Sequence, residues 1–271
     1  MRRRFLFVLA GLLGCAAMLY SGFWFIASGN LRDGVESWAA DRRAAGWKIS
    51  WSELSIDGFP LALRARVTGP RVAGPYRVWD WRGPTLVATS RPWNLNRPNF
   101  IFSGHHKISA TRHGMSRDYA VTASEAMGNA QIQAGIAREI SVQIAQFDIL
   151  APEGEKITGD ALSLRFIPRH PNPPGVFISF AAAGIVLPDG PHAVLGRNIG
   201  ALDADLKLLG VSAFKPSSRL RLSAALGDWR DAGGTIEIKR LHLDWGGMKF
   251  DGDGAMALDS DLQPVGAMKA R

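Results

Sequence analysis

The stretch "LSIDGFPLALRARVTGPRV", residues 54–72, decides the predicted fold. From Leu61 to Val67 the odd-numbered residues, all apolar, fall on one face, and Ala62, Arg64 and Arg66 fall on the other. This period of two is typical of a half-buried β-strand. The preceding Gly58-Phe59-Pro60 predicts a turn that starts the strand, because proline lacks an N–H and suits the first strand position. We expect Phe59 to pack as an anchor and Leu61, Leu63, Ala65 and Val67 to face inward.

The same alternation recurs along the chain. "TIEIKRLHLDW" (235–245) places Ile236 and Ile238 inside, shifts phase at Lys239-Arg240, and then places Trp245 inside, which predicts a β-bulge. "RLRLSAAL" (219–226) is predicted to be a strand with Leu220 and Leu222 on the same face. Further strands are predicted at 47–51, 85–90, 106–112, 119–124, 139–149, 161–167, 175–181, 201–208 and 248–251.

Short strands with one polar and one apolar face predict a mainly β fold, a curved antiparallel sheet that is either an open, taco-like sheet or a sandwich. No helical pattern recurs between the strands, which disfavours βαβ units. The apolar face must curl, pair with a second sheet or hold something apolar. The residues predicted for this face or groove are Phe59, Leu61, Leu63, Leu220, Leu222, Ile236, Ile238 and Trp245.

The N-terminus begins "MRRR" and continues without a charge from Phe5 to Gly29, long enough for a transmembrane helix. Arginines before the span favour a cytoplasmic N-terminus, which predicts a single-pass inner-membrane protein with its body in the periplasm. Residues 1–29 are the predicted anchor, 30–46 an amphipathic helix ending at Gly46, and 47–271 the β domain. The amphipathic helix either continues the anchor or bends from it at Ser28-Gly29, and its apolar face carries Leu31, Val35 and Trp38.

Two alternatives to an uncleaved anchor concern the same segment. A cleaved secretory signal has a shorter apolar core and a small-residue cleavage site, which this run lacks. Leu12-Leu13-Gly14-Cys15 is similar to a lipobox, in which Cys15 would be lipidated, although the residues that follow remain apolar. The length of the apolar run favours the uncleaved anchor. With one cysteine, the chain forms no intramolecular disulfide.

Composition limits the class of partner. The chain is 46% hydrophobic and 21% charged, and its net charge is +8, of which Arg2, Arg3 and Arg4 supply three charges. The rest has no dense basic run, so we expect the membrane as a partner and no nucleic acid. The nine tryptophans have two interpretations, core packing or the lining of a site for an acyl chain or glycan.

No set of residues predicts catalysis. His105, His106 and His113 have no acidic or cysteine partner at metal-ligand spacing. Ser212 and Lys215 form S-x-x-K without the partner motifs of penicillin-binding enzymes. The "DGDG" at 251–254 lacks the calcium-loop pattern and is typical of hairpin turns. We therefore expect no enzyme activity, no cofactor and no metal.

The chain resembles the domain of unknown function 2125 family, membrane-anchored proteins of alphaproteobacteria without an established activity. The resemblance is densest near 38–95 and 228–266. The matching residues are Trp38, Gly46, Gly58, Phe59, Pro60, Trp93, Trp229, Gly233, Gly234, Trp245, Gly246, Gly252, Gly254, Leu258, Asp259, Gln263, Pro264 and Gly266. Family members are expected to continue past this last segment, so that Arg271 falls within a further strand.

Residues 246–271 also resemble the strand pairs of AsmA-like envelope proteins, which implies a long curved sheet with an apolar trough and a link to lipid transport. The leading hypothesis is a membrane-anchored periplasmic protein of the cell envelope that presents an apolar groove to lipid or to envelope partners. The alternatives are a scaffolding module with a closed β core and no ligand, and an envelope enzyme.

Overall fold

The computed structural model describes residues 2–74, 78–112, 115–133, 136–169, 175–190, 194–211 and 222–270. Within these ranges the chain forms one long N-terminal helix, a short second helix and a large, open antiparallel sheet. The predicted fold class is confirmed.

Helix α1 (Arg2–Ala44) is continuous through Ser28 and Gly29, so the predicted anchor and amphipathic helix are one helix. It is long and apolar enough to cross a membrane, and its most apolar part, with a mean hydropathy of 2.0, is not buried by the rest of the protein. The helix ends as predicted at Gly46, which has φ 88°. The Gly46 N–H donates to Arg43 O and the Trp47 N–H to Arg42 O, each at 3.0 Å.

The strands have the following bounds: β1 (Lys48–Ser50), β2 (Glu53–Asp57), β3 (Leu63–Thr68), β4 (Arg71–Ala73), β5 (Trp79–Arg82), β6 (Leu86–Arg91), β7 (Asn94–Ile101), β8 (Gly104–Arg112), β9 (Met115–Gln133), β10 (Ile136–Leu150), β11 (Lys156–Arg169), β12 (Gly175–Val186), β13 (Asn198–Leu209), β14 (Ile236–Trp245), β15 (Met248–Leu258) and β16 (Pro264–Ala270).

The sheet is an up-and-down meander. Twelve of its sixteen strands form one path from β1 to β16, and the other four, β2, β3, β6 and β7, lie end to end with β1, β4, β5 and β8. For example, Lys48 pairs with Ala73 and Glu53 with Thr68, which is one register continued across a break. Each strand, or end-to-end pair of strands, therefore pairs with the one that precedes or follows it in the chain.

The breaks lie on one line across the sheet, here called the seam. It crosses Trp51-Ser52, Gly69-Pro70, Gly83-Pro84, Phe102-Ser103, Gln146, Asp160, Gly184 and Gly200, where the pairing ladders are interrupted in neighbouring strands. In β10 the apolar residues change there from even positions, such as Ile144, to odd ones, such as Phe147. A local irregularity of this kind changes the alternation of side chains without ending the strand.

The two faces of the sheet differ in chemistry. One row of paired residues carries only apolar side chains or glycine, and we call the face it lies on the apolar face. This row is Ile56, Ala65, Ala88, Phe100, Gly128, Val142, Leu164, Phe180, Ala204, Leu241, Gly252 and Ala270. Two rows on the polar face flank it. One is polar throughout and consists of Asp57, Arg64, Thr89, Asn99, Asn129, Ser141, Arg165, Ser179, Asp205 and Arg240. The other is mixed, with Arg66, Gln143, Ser163, Asp203, His242 and Asp251 beside the apolar Val87, Ile101, Met127 and Ala181.

In the described part of the chain the sheet is a single open layer, so the sandwich alternative is not what forms. The exposed surface is 17449 Å², against about 11,500 Å² expected for a folded monomer of this mass. Leu63 is the one large side chain among the described residues that is fully buried. Much of the apolar face of β9 to β16 is therefore partly exposed.

One predicted strand is wrong. Residues 222–231 form helix α2 (Leu222–Asp231), and Leu220 lies outside the described residues. Leu222, Leu226 and Trp229 are spaced by four and three, so the segment also fits a helical period. Every other predicted strand overlaps an observed one. The predicted bulge is confirmed, because the β14 register shifts between Ile238 and Leu241.

Candidate functional site

The Gly58-Phe59-Pro60 corner is part of the turn between β2 and β3. The Ala62 N–H donates to Gly58 O at 2.9 Å, and this closed turn delays the strand until Leu63. The prediction that Pro60 begins the strand with Leu61 facing inward is therefore wrong, since Leu61 is in the turn and 70% exposed. Leu63 and Ala65 are buried as predicted, and Arg64 and Arg66 lie on the opposite, polar face.

The turn docks on α1 at a contact that we call the helix–hairpin junction, formed by Tyr20, Trp24, Phe25, Phe59 and Pro60. The Trp24 indole N–H donates to Ala62 O at 2.9 Å, and the Tyr20 hydroxyl donates to Pro60 O. The Phe59 ring meets Trp24 edge-on, with centroids 5.5 Å apart, and stacks on Phe25 at 6.1 Å. Phe59 is thus an anchor, but its partners are on the helix.

Beneath this junction, α1 packs on the apolar face of β2 and β3. Trp24, Ala27 and Leu63 form a buried cluster against which Leu31 and Ile56 pack. Leu63 has no exposed surface, so this predicted groove residue is closed off by the helix. The helix and the apolar face consequently lie on the same side of the sheet.

A groove of about 750 Å³ separates α1 from the turn between β6 and β7, and we call it the α1 groove. The predicted helix face of Leu31, Val35 and Trp38 lines one wall. The lining residues are Phe23, Ile26, Ala27, Asn30, Leu31, Gly34, Val35, Trp38, Pro92, Trp93, Asn94, Leu95 and Asn96. These include no charged side chain, and polarity comes from asparagines alone. The helix wall is about 22 Å long, more than the roughly 15 Å of one leaflet's hydrocarbon.

The β-turn wall of this groove was not predicted. The family resemblance includes Trp93, but no site was predicted from Pro92 or Trp93. The available signal was an exposed tryptophan at a two-residue hairpin turn, where polar residues are usual. Trp24 and Trp229 are buried, which fits core packing, while Trp38 and Trp93 are more than half exposed. The lining of a site for an acyl chain or glycan stays a prediction.

The remaining predicted face residues are placed as follows. Ile236 and Ile238 lie on the apolar face, paired with Leu208 and Leu206. Trp245 pairs with Ile199, and its indole N–H donates to Gly196 O at 2.9 Å. Leu222 lies in α2, outside the sheet, because the segment is helical.

The polar face carries scattered ion pairs between exposed side chains. Arg165 contacts Glu139 at 3.3 Å and Arg240 contacts Asp203 at 3.8 Å. Among the described residues, no three His, Cys, Asp or Glu side chains are grouped to hold a metal ion. His113, Ser212 and Lys215 lie outside the described residues.

Two further motifs have structural explanations. The "DGDG" segment lies within strand β15 instead of a hairpin turn, and a Cβ on Gly254 would lie 2.3 Å from Ala267 O of the paired strand. Glycine is needed there for close approach of two backbones. His106 accepts the Trp81 indole N–H at Nδ1 (3.2 Å), and burial lowers its pKa below the ordinary value. This histidine is therefore part of the packing around Trp81.

Residues 24–271 match the model of a family described as "Uncharacterized protein conserved in bacteria (DUF2125)". The match includes the end of the apolar segment of α1, the helix–hairpin junction except Tyr20, and the whole sheet. No curated protein and no solved structure matches the chain.

Proposed function

We propose that this chain, which belongs to the DUF2125 family, is a lipid-binding protein of the bacterial cell envelope. Helix α1 anchors it in the inner membrane, the sheet stands in the periplasm, and the apolar face with the α1 groove receives the acyl chains of phospholipids. The proposal assigns binding and no chemical step to the protein, and it assigns no cofactor.

The orientation follows from charge and hydropathy. Arg2, Arg3 and Arg4 precede an uncharged run that reaches Gly29, and cationic residues favour the cytoplasmic side of the inner membrane. The sheet that follows α1 is then outside the cytoplasm. Tyr20 and Trp24 lie near the outer end of the span, where amphipathic rings are favoured.

The single observation that carries the proposal is the apolar row from Ile56 to Ala270, which runs across the sheet from its first hairpin to its last strand. Leaving such a surface in water costs about 25 cal/mol for each Å². Among the described residues, α1 packs against β1, β2 and β3, at one edge of the sheet. A ligand that is long, flexible and uncharged along most of its length fits a surface of this shape.

A lipid is favoured over a protein partner by the position of the α1 groove. Its lower end, at Phe23 and Ile26, belongs to the apolar segment of α1, and its upper end, at Trp38, lies beyond that segment. A chain leaving the outer leaflet would therefore enter the groove without crossing charged surface. The groove and the apolar face also lie on the same side of the sheet, as α1 does.

The test uses two phenylalanines of one strand. Phe180 is on the apolar face, and Phe177 is on the polar face of β12. Each is replaced in the full-length chain by the photoreactive p-benzoylphenylalanine, the cells are irradiated, and the purified protein is examined by mass spectrometry. We expect a phospholipid adduct at Phe180 and at least a fivefold weaker one at Phe177.

Equal labelling at the two positions, or no lipid adduct at Phe180, would overturn the proposal. An adduct at Phe180 with one defined protein would overturn it in favour of an envelope partner. Because the two positions share residue type, strand and partial burial, a difference between them reports the face and not the reagent.

A further inference from the structure

We infer a second membrane contact, which rests on the proposed function because it needs α1 to span the bilayer. The tip of the β2–β3 hairpin, residues 58–62, is immersed in the outer-leaflet interface beside the helix. The partner surface is the bilayer itself, and the side chains that enter it are Phe59 and Leu61.

The depth of the tip is fixed by its bonds to α1. Tyr20 and Trp24 donate to carbonyl oxygens of Pro60 and Ala62. The apolar run continues to Ile26, so Tyr20 lies about 9 Å along the helix axis before its end. The hairpin tip is therefore level with the last two turns of the apolar segment, and not above it.

The side chains exposed at the tip are apolar, so contact with lipid is more favourable than contact with water. Phe59 is 49% exposed and Leu61 is 70% exposed, next to Phe25, which is 64% exposed on the helix. The Phe59 ring stacks on Phe25, so the tip extends the exposed apolar surface of α1. Transfer of each of these side chains from water into the membrane interface has a favourable free energy.

Three of the five backbone carbonyls of residues 58–62 are hydrogen-bonded. Pro60 has no N–H, and its carbonyl accepts from Tyr20. The carbonyls of Gly58 and Ala62 accept from Ala62 N–H and Trp24. An unpaired backbone group in hydrocarbon costs several kcal/mol, so satisfied carbonyls lower the cost of insertion.

Charges stand where lipid headgroups would be. Asp57, Arg64 and Arg66 follow the tip on both strands, with Arg64 at 3.2 Å and Arg66 at 3.7 Å from the Asp57 carboxylate. Two guanidinium groups share one carboxylate, which leaves one positive charge for lipid phosphate. Arg64 is the second residue of β3, three positions after Leu61, so the charged groups border the apolar tip.

The test measures the immersion of single cysteines labelled with the environment-sensitive fluorophore NBD, in full-length protein in phospholipid nanodiscs. The native Cys15 reports the span. In a Cys15→Ser background, Leu61→Cys and Phe59→Cys report the tip. Ser50→Cys is the control, since it is exposed on the same sheet edge, about 23 Å along the strand from Asp57.

We expect NBD at positions 59 and 61 to emit at shorter wavelength than NBD at position 50, and to be quenched by lipids brominated near the headgroup. If positions 59 and 61 behave like position 50 while Cys15 is immersed, the tip lies in water and only this inference fails. If the label on Cys15 itself is in water, the spanning helix and the proposed function both fail. Two tip positions guard against a folding defect in one variant.

Discussion

The indole of Trp24 and the ring of Phe59 meet edge-on, 5.5 Å apart and with an interplanar angle of 88°. They are 35 positions apart in the chain, and they join the apolar helix to the first hairpin of the sheet. The contact has the geometry that aromatic pairs prefer. It gives the Gly58-Phe59-Pro60 corner a role in holding the sheet against α1.

Phe59→Ala is expected to lower the midpoint of thermal unfolding, because it removes the ring that packs on Trp24 and Phe25. Phe59 is half exposed, so we expect a loss of about 1–2 kcal/mol, less than for a core phenylalanine. Circular dichroism in detergent micelles measures the midpoint, and Phe59→Leu, which keeps most of the apolar volume, is the control. An unchanged melting curve for Phe59→Ala would contradict this role.

Leu63→Ala and Leu61→Ala are expected to differ strongly, although the sequence pattern treats the two leucines alike. Leu63 is fully buried under Trp24 and Ala27, so truncation should cost about 2–5 kcal/mol. Leu61 is exposed in the turn, so its truncation should change stability by less than about 0.5 kcal/mol in detergent. Denaturant titration of both variants measures the difference, and equal losses would show that the strand begins earlier than Leu63.

Gly159→Ala is expected to destabilise the sheet by about 1–3 kcal/mol through overpacking. Gly159 faces Phe147 on the paired strand, and an added Cβ would lie 2.3 Å from Phe147 Cζ. The Phe147 ring is buried, so it has little room to move. In the double variant with Phe147→Leu, the combined loss should be smaller than the sum of the two single losses. Additive losses would mean that the ring does not cover Gly159.

The free energy of unfolding is expected to fall as the pH is lowered below about 6.5. Burial lowers the pKa of His106 in the folded protein, so the unfolded chain binds the proton first and is stabilised by acid. The stability that neutral His106 contributes is fully present above the ordinary histidine pKa. It is lost as the pH falls towards the lowered pKa of His106 in the folded protein.

Denaturant titrations between about pH 8 and pH 5 measure this slope, and His106→Gln should flatten it. His242→Gln, which changes an imidazole on the polar face, is the control for the substitution itself. If the slope of His106→Gln matches that of the unaltered protein, the burial of His106 does not contribute.

Local pattern was sufficient where the signal lies within one strand. The alternation of Leu63 and Ala65 with Arg64 and Arg66, the bulge at Lys239-Arg240 and the helix end at Gly46 depend on neighbours within a few residues. The strand predicted at 219–226 was wrong because so short a segment fits a period of two, while Leu222, Leu226 and Trp229 fit a helical spacing. Gly233, which has φ 75° just after the helix, entered the sequence analysis only as a residue of the family resemblance.

The site was harder to predict because its parts are distant in the chain. The α1 groove pairs Leu31 and Trp38 with Trp93, and the junction pairs Tyr20 with Pro60. The seam could not be predicted either. A change in the alternation of apolar side chains, such as that at Gln146, marks a seam only if the neighbouring strands are interrupted at the same level, here at Asp160 and Gly184.

The meander has a consequence for how the protein reaches its native state. Each strand pairs with a strand that is close to it in the chain. The sheet can therefore form in order, from the first hairpin to the last. Low contact order of this kind favours rapid folding for an all-β protein. It also allows the length of the molecule to change by the gain or loss of a terminal hairpin, because the hairpins before it keep their partners.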